Sequence, residues 1–187
     1  MSSKSLFNRM IRAAKLDVDL YEEVELDTTA NGQAFLAVVL VSLASGIGSG
    51  IAGLLTHEGG LWFMWGLLIG LGTSIIGWLA WSFIAYIIGT KVFRGPETSA
   101  TWGELLRTIG FSTSPGILRL LSFIPILGGI ISFGASIWAL IAGVIAVRQA
   151  LDFSTGHAIA TCIVGWIIYM LIVFLATTLI LGAGVLF

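Results

Sequence analysis

Charge is what this sequence has least of. Only 10% of its 187 residues are Asp, Glu, Lys or Arg, and 57% are hydrophobic, whereas soluble domains carry roughly 25% charged residues. Polar surface this sparse does not solvate a globule of such length, so most of the chain must face lipid or its own helices. Cysteine is almost missing as well. Cys162 stands alone in an apolar run, which removes a disulfide framework and leaves no sign of compartment. The two histidines, His57 and His157, belong to neither an HExxH pattern nor a metal-ligand cluster. Nine basic against ten acidic residues give a net charge of -1, with no electrostatic basis for binding nucleic acid. The sequence therefore predicts no catalytic residue, no cofactor and no metal site.

What it does contain is long uncharged runs, several of them at least the ~20 residues that cross hydrocarbon as a helix. The predicted fold is an all-α polytopic membrane helix bundle with five transmembrane helices, preceded by a short amphipathic N-terminal helix. Residues 1–28 form a cytoplasmic or interfacial segment and 29–187 the transmembrane domain, with spans at about 33–55, 61–88, 109–127, 130–147 and 158–187. The third is broken: it holds Ser112, Thr113, Ser114, Pro115 and Arg119, kinks at Pro115 and turns at Pro125 to Gly129. Five crossings put Lys4 to Lys15, Lys91 to Arg107 and Arg148 on one face, which the positive-inside rule makes cytoplasmic with the N-terminus, and the C-terminus on the opposite side. Four spans with a re-entrant third segment are the alternative.

Before the first run, Asp17, Asp19, Glu22, Glu23, Glu25 and Asp27 interrupt any export-signal pattern. Leu6, Phe7, Met10, Ile11 and Ala14 recur at helical spacing, with Arg9, Arg12 and Lys15 on the other side. Two readings stand: a helix lying in an anionic headgroup layer, or one packed on the protein's own cytoplasmic loops.

Small residues four apart, such as Gly46 with Gly50 and Ala139 with Gly143, let helices approach closely in lipid. Gly48-Ser-Gly50-Ile-Ala-Gly53 fits the dinucleotide fingerprint, but lies in an apolar helix with no preceding strand. Asp152, Ser154, Thr155 and His157 share a short loop where such residues cap helices, with nothing to orient a catalytic base. Trp62 and Trp102 fit interfacial anchors. Arg119 is the residue to single out, because an intramembrane cation pairs or lines a polar cavity. One reading has it snorkel to the cytoplasmic headgroups. The other places it in a polar pocket with Ser112 and Ser114, binding a lipid phosphate with Arg107 or Arg148.

Gly110-Phe111, Ser114-Pro115, Ile124-Pro-Ile-Leu-Gly128, Trp138, Gly143-Val-Ile-Ala-Val-Arg148-Gln-Ala-Leu-Asp152 and Ser154-Thr-Gly-His-Ala158 follow in order. This series resembles the Yip1 domain over about residues 30–187. The resemblance implies five transmembrane helices with a cytoplasmic N-terminus. Eukaryotic members act in vesicle trafficking between endoplasmic reticulum and Golgi, in complexes with one another and with small prenylated GTPases. Their longer N-terminal region carries Asp-Leu-Tyr-Gly-Pro, whereas here Asp19-Leu20-Tyr21 continues into Glu22-Glu23. The chain departs from the GTPase-linked motif and looks more like the prokaryotic members.

The expected function is a non-enzymatic membrane organiser or partner-recruiting scaffold. Its expected partners are membrane lipids, anionic ones included, and other membrane proteins or further copies of itself. The alternative is a small-solute or lipid transporter of scramblase type, built on the broken third span and Arg119.

Overall fold

The computed structural model describes residues 5–55, 60–94 and 98–185. Among them are seven α-helices and no strand. His57, Glu58 and Pro96 lie outside the described residues, as does the side chain of Trp62. α1 (Leu6–Ala14) starts at Ser5, whose hydroxyl accepts from the Asn8 N–H at 3.4 Å. α2 (Val18–Leu26) leads through a 3₁₀ turn at Thr28–Ala30 into α3 (Asn31–Leu55). α4 (Gly60–Ile87) continues through a π-turn at Ile88–Val92. α5 (Trp102–Ser112) opens on a capping box, with the Glu104 N–H on the Thr101 hydroxyl and the Thr101 N–H on the Glu104 carboxylate. A 3₁₀ segment (Ser114–Phe123) follows, then α6 (Leu127–Ala150) and α7 (Thr155–Val185).

Four helices among the described residues are long and apolar enough to cross a membrane: Thr28–Leu54, Phe63–Val92, Leu127–Ala150 and Thr155–Thr178. The third predicted run is not one continuous helix, and its chemistry explains why. Pro115 has no N–H to give to Phe111, so α-helical bonding stops there. The hydroxyls of Ser112, Thr113 and Ser114 take up the freed carbonyls, donating to Ile109, Gly110 and Phe111 at 2.8, 2.7 and 2.6 Å. In an apolar surrounding this substitution is what keeps a broken helix tolerable. The chain then stays 3₁₀ for ten residues, well past the usual three or four. It reverses at Pro125, where the Leu127 N–H reaches the Pro125 carbonyl at 2.7 Å across Ile126, whose φ is 67°. A β-branched residue at positive φ is strained, and this γ-turn holds Ile126 90% exposed at the tip.

Close approaches fix the run of each element. A Cβ on Gly110 would stand 2.8 Å from Ala34, one on Gly116 2.7 Å from Val41, and one on Gly48 would strike the carbonyls of Arg119 and Leu120. The stretch from α5 through the 3₁₀ segment therefore runs parallel to α3, advancing from the level of Ala34 to that of Gly48, about 21 Å at 1.5 Å per residue. α6 runs back beside it: Gly128 abuts the Ser122 backbone, Ser136 meets Arg119, and Gly143 stands opposite Ser112. α4 returns antiparallel to α3, with Gly50 on the Phe63 ring, Gly46 on Leu67 and Ser42 on Ser74. α7 packs on α4 and α6.

The apolar core is concentrated at the end where the chain begins. Leu20, Tyr21 and Val24 of α2 are fully buried among Leu105 of α5 and Val147 and Leu151 at the end of α6. This capped end holds most of the buried apolar side chains, together with the buried Arg9 and Arg107; a polar cavity opens further along the bundle.

Candidate functional site

A cavity of about 380 Å³ opens between α3, α4, the 3₁₀ segment and α6. Hydroxyls and glycines dominate its walls: Ser42, Ser45, Gly46 and Ser49 from α3, Gly66, Gly70 and Ser74 from α4 with the apolar Leu67, Ser122 and Arg119 from the 3₁₀ segment, and Ser132 from α6. Serines at 42, 45 and 49 share one helix face because three or four residues complete a turn. Gly66 and Gly70 have open space where a Cβ would stand, so the missing side chains help make the cavity.

Arg119 sits between this wall and α6. Its Nη2 donates to Ser136 Oγ at 2.9 Å, and Ser136 in turn donates to the Ser132 carbonyl at 2.7 Å. Ser136 is nine residues into α6 from Leu127, roughly 13 Å along the axis, and the guanidinium lies beside Gly116 at the level of Val41. The guanidinium thus lies part-way along the bundle, at the level of Val41 and Ser136, short of the ends that a snorkelling side chain reaches for. Among the described residues the ion pairs belong to Arg9 and Arg12, and Arg119 takes part in none of them. A guanidinium has five N–H donors, and the Ser136 bond uses one. Nearby, the Ser122 hydroxyl is buried without a hydrogen-bond partner, a state that costs about 1–3 kcal/mol. The site therefore has donors to spare.

The other residues expected beside Arg119 lie elsewhere. Ser112 and Ser114 are spent on the α5 carbonyls. Arg107 is buried at the capped end, where its Nε donates to the Val24 carbonyl at 2.8 Å, its Nη1 to Asn31 at 3.2 Å and its Nη2 to the Glu25 carbonyl. It caps the C-terminus of α2, where a cation suits the helix dipole. Arg148 donates to the Gln149 side chain at 2.8 Å, and Gln149 holds Glu22 at 2.8 Å, so both arginines serve α2 and not Arg119. Gly46 and Gly50 make close approaches to α4, but Gly143 does not: the nearest atom to a Cβ there is Ser112 Oγ at 3.9 Å. Sequence spacing also missed Gly48, the tightest contact between α3 and the 3₁₀ segment, because four-residue spacing selected its neighbours.

The capped end carries a second polar constellation. Arg9 is only 1% exposed, so the expected division of α1 into apolar and basic faces does not hold. Arg9 donates to Glu23 at 3.1 and 2.8 Å, to Asp27 at 2.6 Å and to Gln33 at 3.0 Å. Arg12 bridges Asp17 at 2.7 Å and Glu23 at 2.6 Å. Leu6, Met10 and Ala13 turn inward with Arg9, while Phe7 and Ile11 are exposed. Hydrogen bonds from Thr29 and then Arg9 hold the Asp27 carboxyl down at about 2. Burial would raise Glu23, but Arg12 and Arg9 outweigh it and keep its carboxyl low. Glu25 goes the other way, pushed up to about 7 by burial and then by Asp152, Glu104 and Glu22. The cap is thus sealed by its own charges, with basic α1 folded onto acidic α2.

The family model described as the Yip1 domain matches residues 19–177, from α2 into α7. Comparison with curated proteins and with solved structures gives no match.

Proposed function

The chain belongs to the Yip1 domain family and is an integral membrane protein, and on that premise we propose that it is a non-enzymatic membrane organiser. In this reading it crosses the bilayer five times with its N-terminal cap on the cytoplasmic face, in the manner of the short prokaryotic members. The parallel run of α5 and the 3₁₀ segment along α3 supports five crossings. If α3 and α6 both cross, and α6 ends at the capped end, the chain between α4 and α6 has to travel from the capped end to the far one. A single cysteine in place of Gly129, where a side chain meets nothing within 4 Å, is expected to react with impermeant reagent only from the side opposite the N-terminus. Labelling only from the N-terminal side would rule out five crossings.

The observation that carries the organiser reading is the cap. Its arginines are consumed internally, and α1 packs on the 3₁₀ segment, α5 and α6 while holding Phe7 and Ile11 outward. A bundle that packs α1 this way leaves Phe7 and Ile11 as an apolar ridge, suited at a bilayer surface to lipid or to another membrane protein. A second reading, lipid or solute transport, draws on the Arg119 cavity, since broken helices build midplane sites. It is weaker because ion-coupled transport generally uses several titratable groups, and Arg119 is the lone one lining that cavity. Reconstituted in proteoliposomes, the protein is expected to give neither lipid scrambling nor solute flux above the protein-free level. Appreciable flux that Arg119→Ala abolishes would overturn the organiser reading in favour of transport.

A further inference from the structure

We propose that the cavity beside Arg119 binds a tetrahedral oxyanion of the phosphate class, presented by a phospholipid headgroup or taken up as free phosphate. This goes beyond the organiser reading and does not depend on it. It rests on a mismatch between donors and acceptors at one place in the bundle. Arg119 spends one N–H on Ser136 and keeps the rest, with no carboxylate in the cavity wall to neutralise it. Ser122 contributes a buried hydroxyl with no partner. A lone intramembrane cation beside an unsatisfied donor needs an acceptor-rich, negatively charged group, and phosphate oxygens match a guanidinium fork.

The rest of the wall complements a headgroup. Ser45 and Ser49 donate their hydroxyl protons to the carbonyls of Val41 and Ser45 at 2.9 and 3.0 Å, so what they present to the cavity is lone pairs. Those suit the hydroxyl or ammonium of a headgroup whose phosphate sits on Arg119. At about 380 Å³ the space lies within the range of small-ligand pockets, and Gly66 and Gly70 leave one side of it unfilled.

The test uses the purified full chain and two probes. Native mass spectrometry compares retention of phosphatidylglycerol with that of diacylglycerol, which lacks the phosphate. Thermal unfolding of delipidated protein is followed with and without inorganic phosphate. The wild type is expected to retain phosphatidylglycerol at least tenfold over diacylglycerol, and Arg119→Gln to erase that preference. Gly66→Leu fills the cavity from its open side without touching Arg119, and is expected to do the same if Arg119→Gln does not yield folded protein. Ser122→Ala is expected to reduce retention several-fold. A phosphate-dependent rise in the unfolding midpoint, lost in Arg119→Gln, with no preference for phosphatidylglycerol, would assign the site to the free anion. Equal retention of both lipids by wild type and Gly66→Leu, with no response to phosphate, would overturn the proposal.

Discussion

Arg9→Met is expected to release the N-terminal hairpin from the bundle. Methionine keeps the bulk of the side chain but removes the bonds to Glu23, Asp27 and Gln33. Breaking a buried ion pair from one side costs about 3–5 kcal/mol when the orphaned charge stays buried. Here Glu23 and Asp27 keep 28% and 17% of their surface, so water recovers part of the loss and about 2–4 kcal/mol is the expected cost. That corresponds to a thirtyfold to several-hundredfold shift in the opening equilibrium, at about 1.4 kcal/mol per factor of ten. Reactivity of a cysteine at Ala13, which is fully buried, should rise by that factor. Lys15→Met, which removes an exposed charge, should leave it unchanged. The sign of the pH dependence follows from the carboxyls. Asp27 and Glu23 are held below their ordinary values, so their contribution is complete above the unfolded pKa near 4 and is lost as pH falls through the folded one. The gap between wild type and Arg9→Met should be constant above about pH 5 and close toward pH 2. An unchanged cysteine reactivity in Arg9→Met would mean that the apolar contacts of α1 hold the hairpin without the ion pairs.

Gly48→Ala should be more damaging than Gly46→Ala in the same helix or Gly143→Ala in α6. Two effects oppose each other. Alanine within a helix gains about 1 kcal/mol over glycine, while a Cβ at this position would strike the carbonyl oxygens of Arg119 and Leu120 and the Ser122 hydroxyl. Two of those three atoms are backbone, so no rotamer change relieves them and the 3₁₀ segment must move off α3. Overpacking of this kind costs about 1–3 kcal/mol, and more where backbone is struck, so a net loss of about 2 kcal/mol is expected. Gly46→Ala meets only the flexible tip of Leu67 at 2.6 Å, and Gly143→Ala meets Ser112 Oγ at 3.9 Å. Both should be neutral or slightly stabilising. Thermal unfolding of the three variants in detergent gives the order directly, and a midpoint for Gly48→Ala at or above that of Gly143→Ala would disprove the close approach. Because the clash falls on the backbone of Arg119, Gly48→Ala should also disturb the cavity.

These two residues show what could be read in the sequence and what could not. Four of the long helices follow from uncharged runs, since lipid exposure is a property each segment carries by itself. The expected 33–55 and 130–147 lie inside Asn31–Leu55 and Leu127–Ala150. The break at Pro115 was legible for the same reason, because a missing N–H acts locally. Partnerships were not. Arg9 sits 14 residues from Glu23, and Arg107 sits 83 from Val24, and no periodicity encodes which charge a folded loop will meet. The same blindness grouped Arg107 and Arg148 with Arg119 and gave Ser112 and Ser114 to its pocket, when both serines are needed by the backbone that Pro115 interrupts. The serines that do face Arg119 come from α3, α4 and α6, and only the packing brings them together.

The inward folding of Arg9 and Arg12 also bears on how the molecule meets its surroundings. With those guanidinium groups paired to Asp17, Glu23 and Asp27, Lys15 is the one cation among the described residues of this hairpin outside the ion pairs, so few free basic charges stand beside Phe7 and Ile11 for salt to screen over a Debye length of about 8 Å. A contact made there is expected to depend on shape and apolar area more than on charge, and to weaken less with salt than a polybasic anchor does.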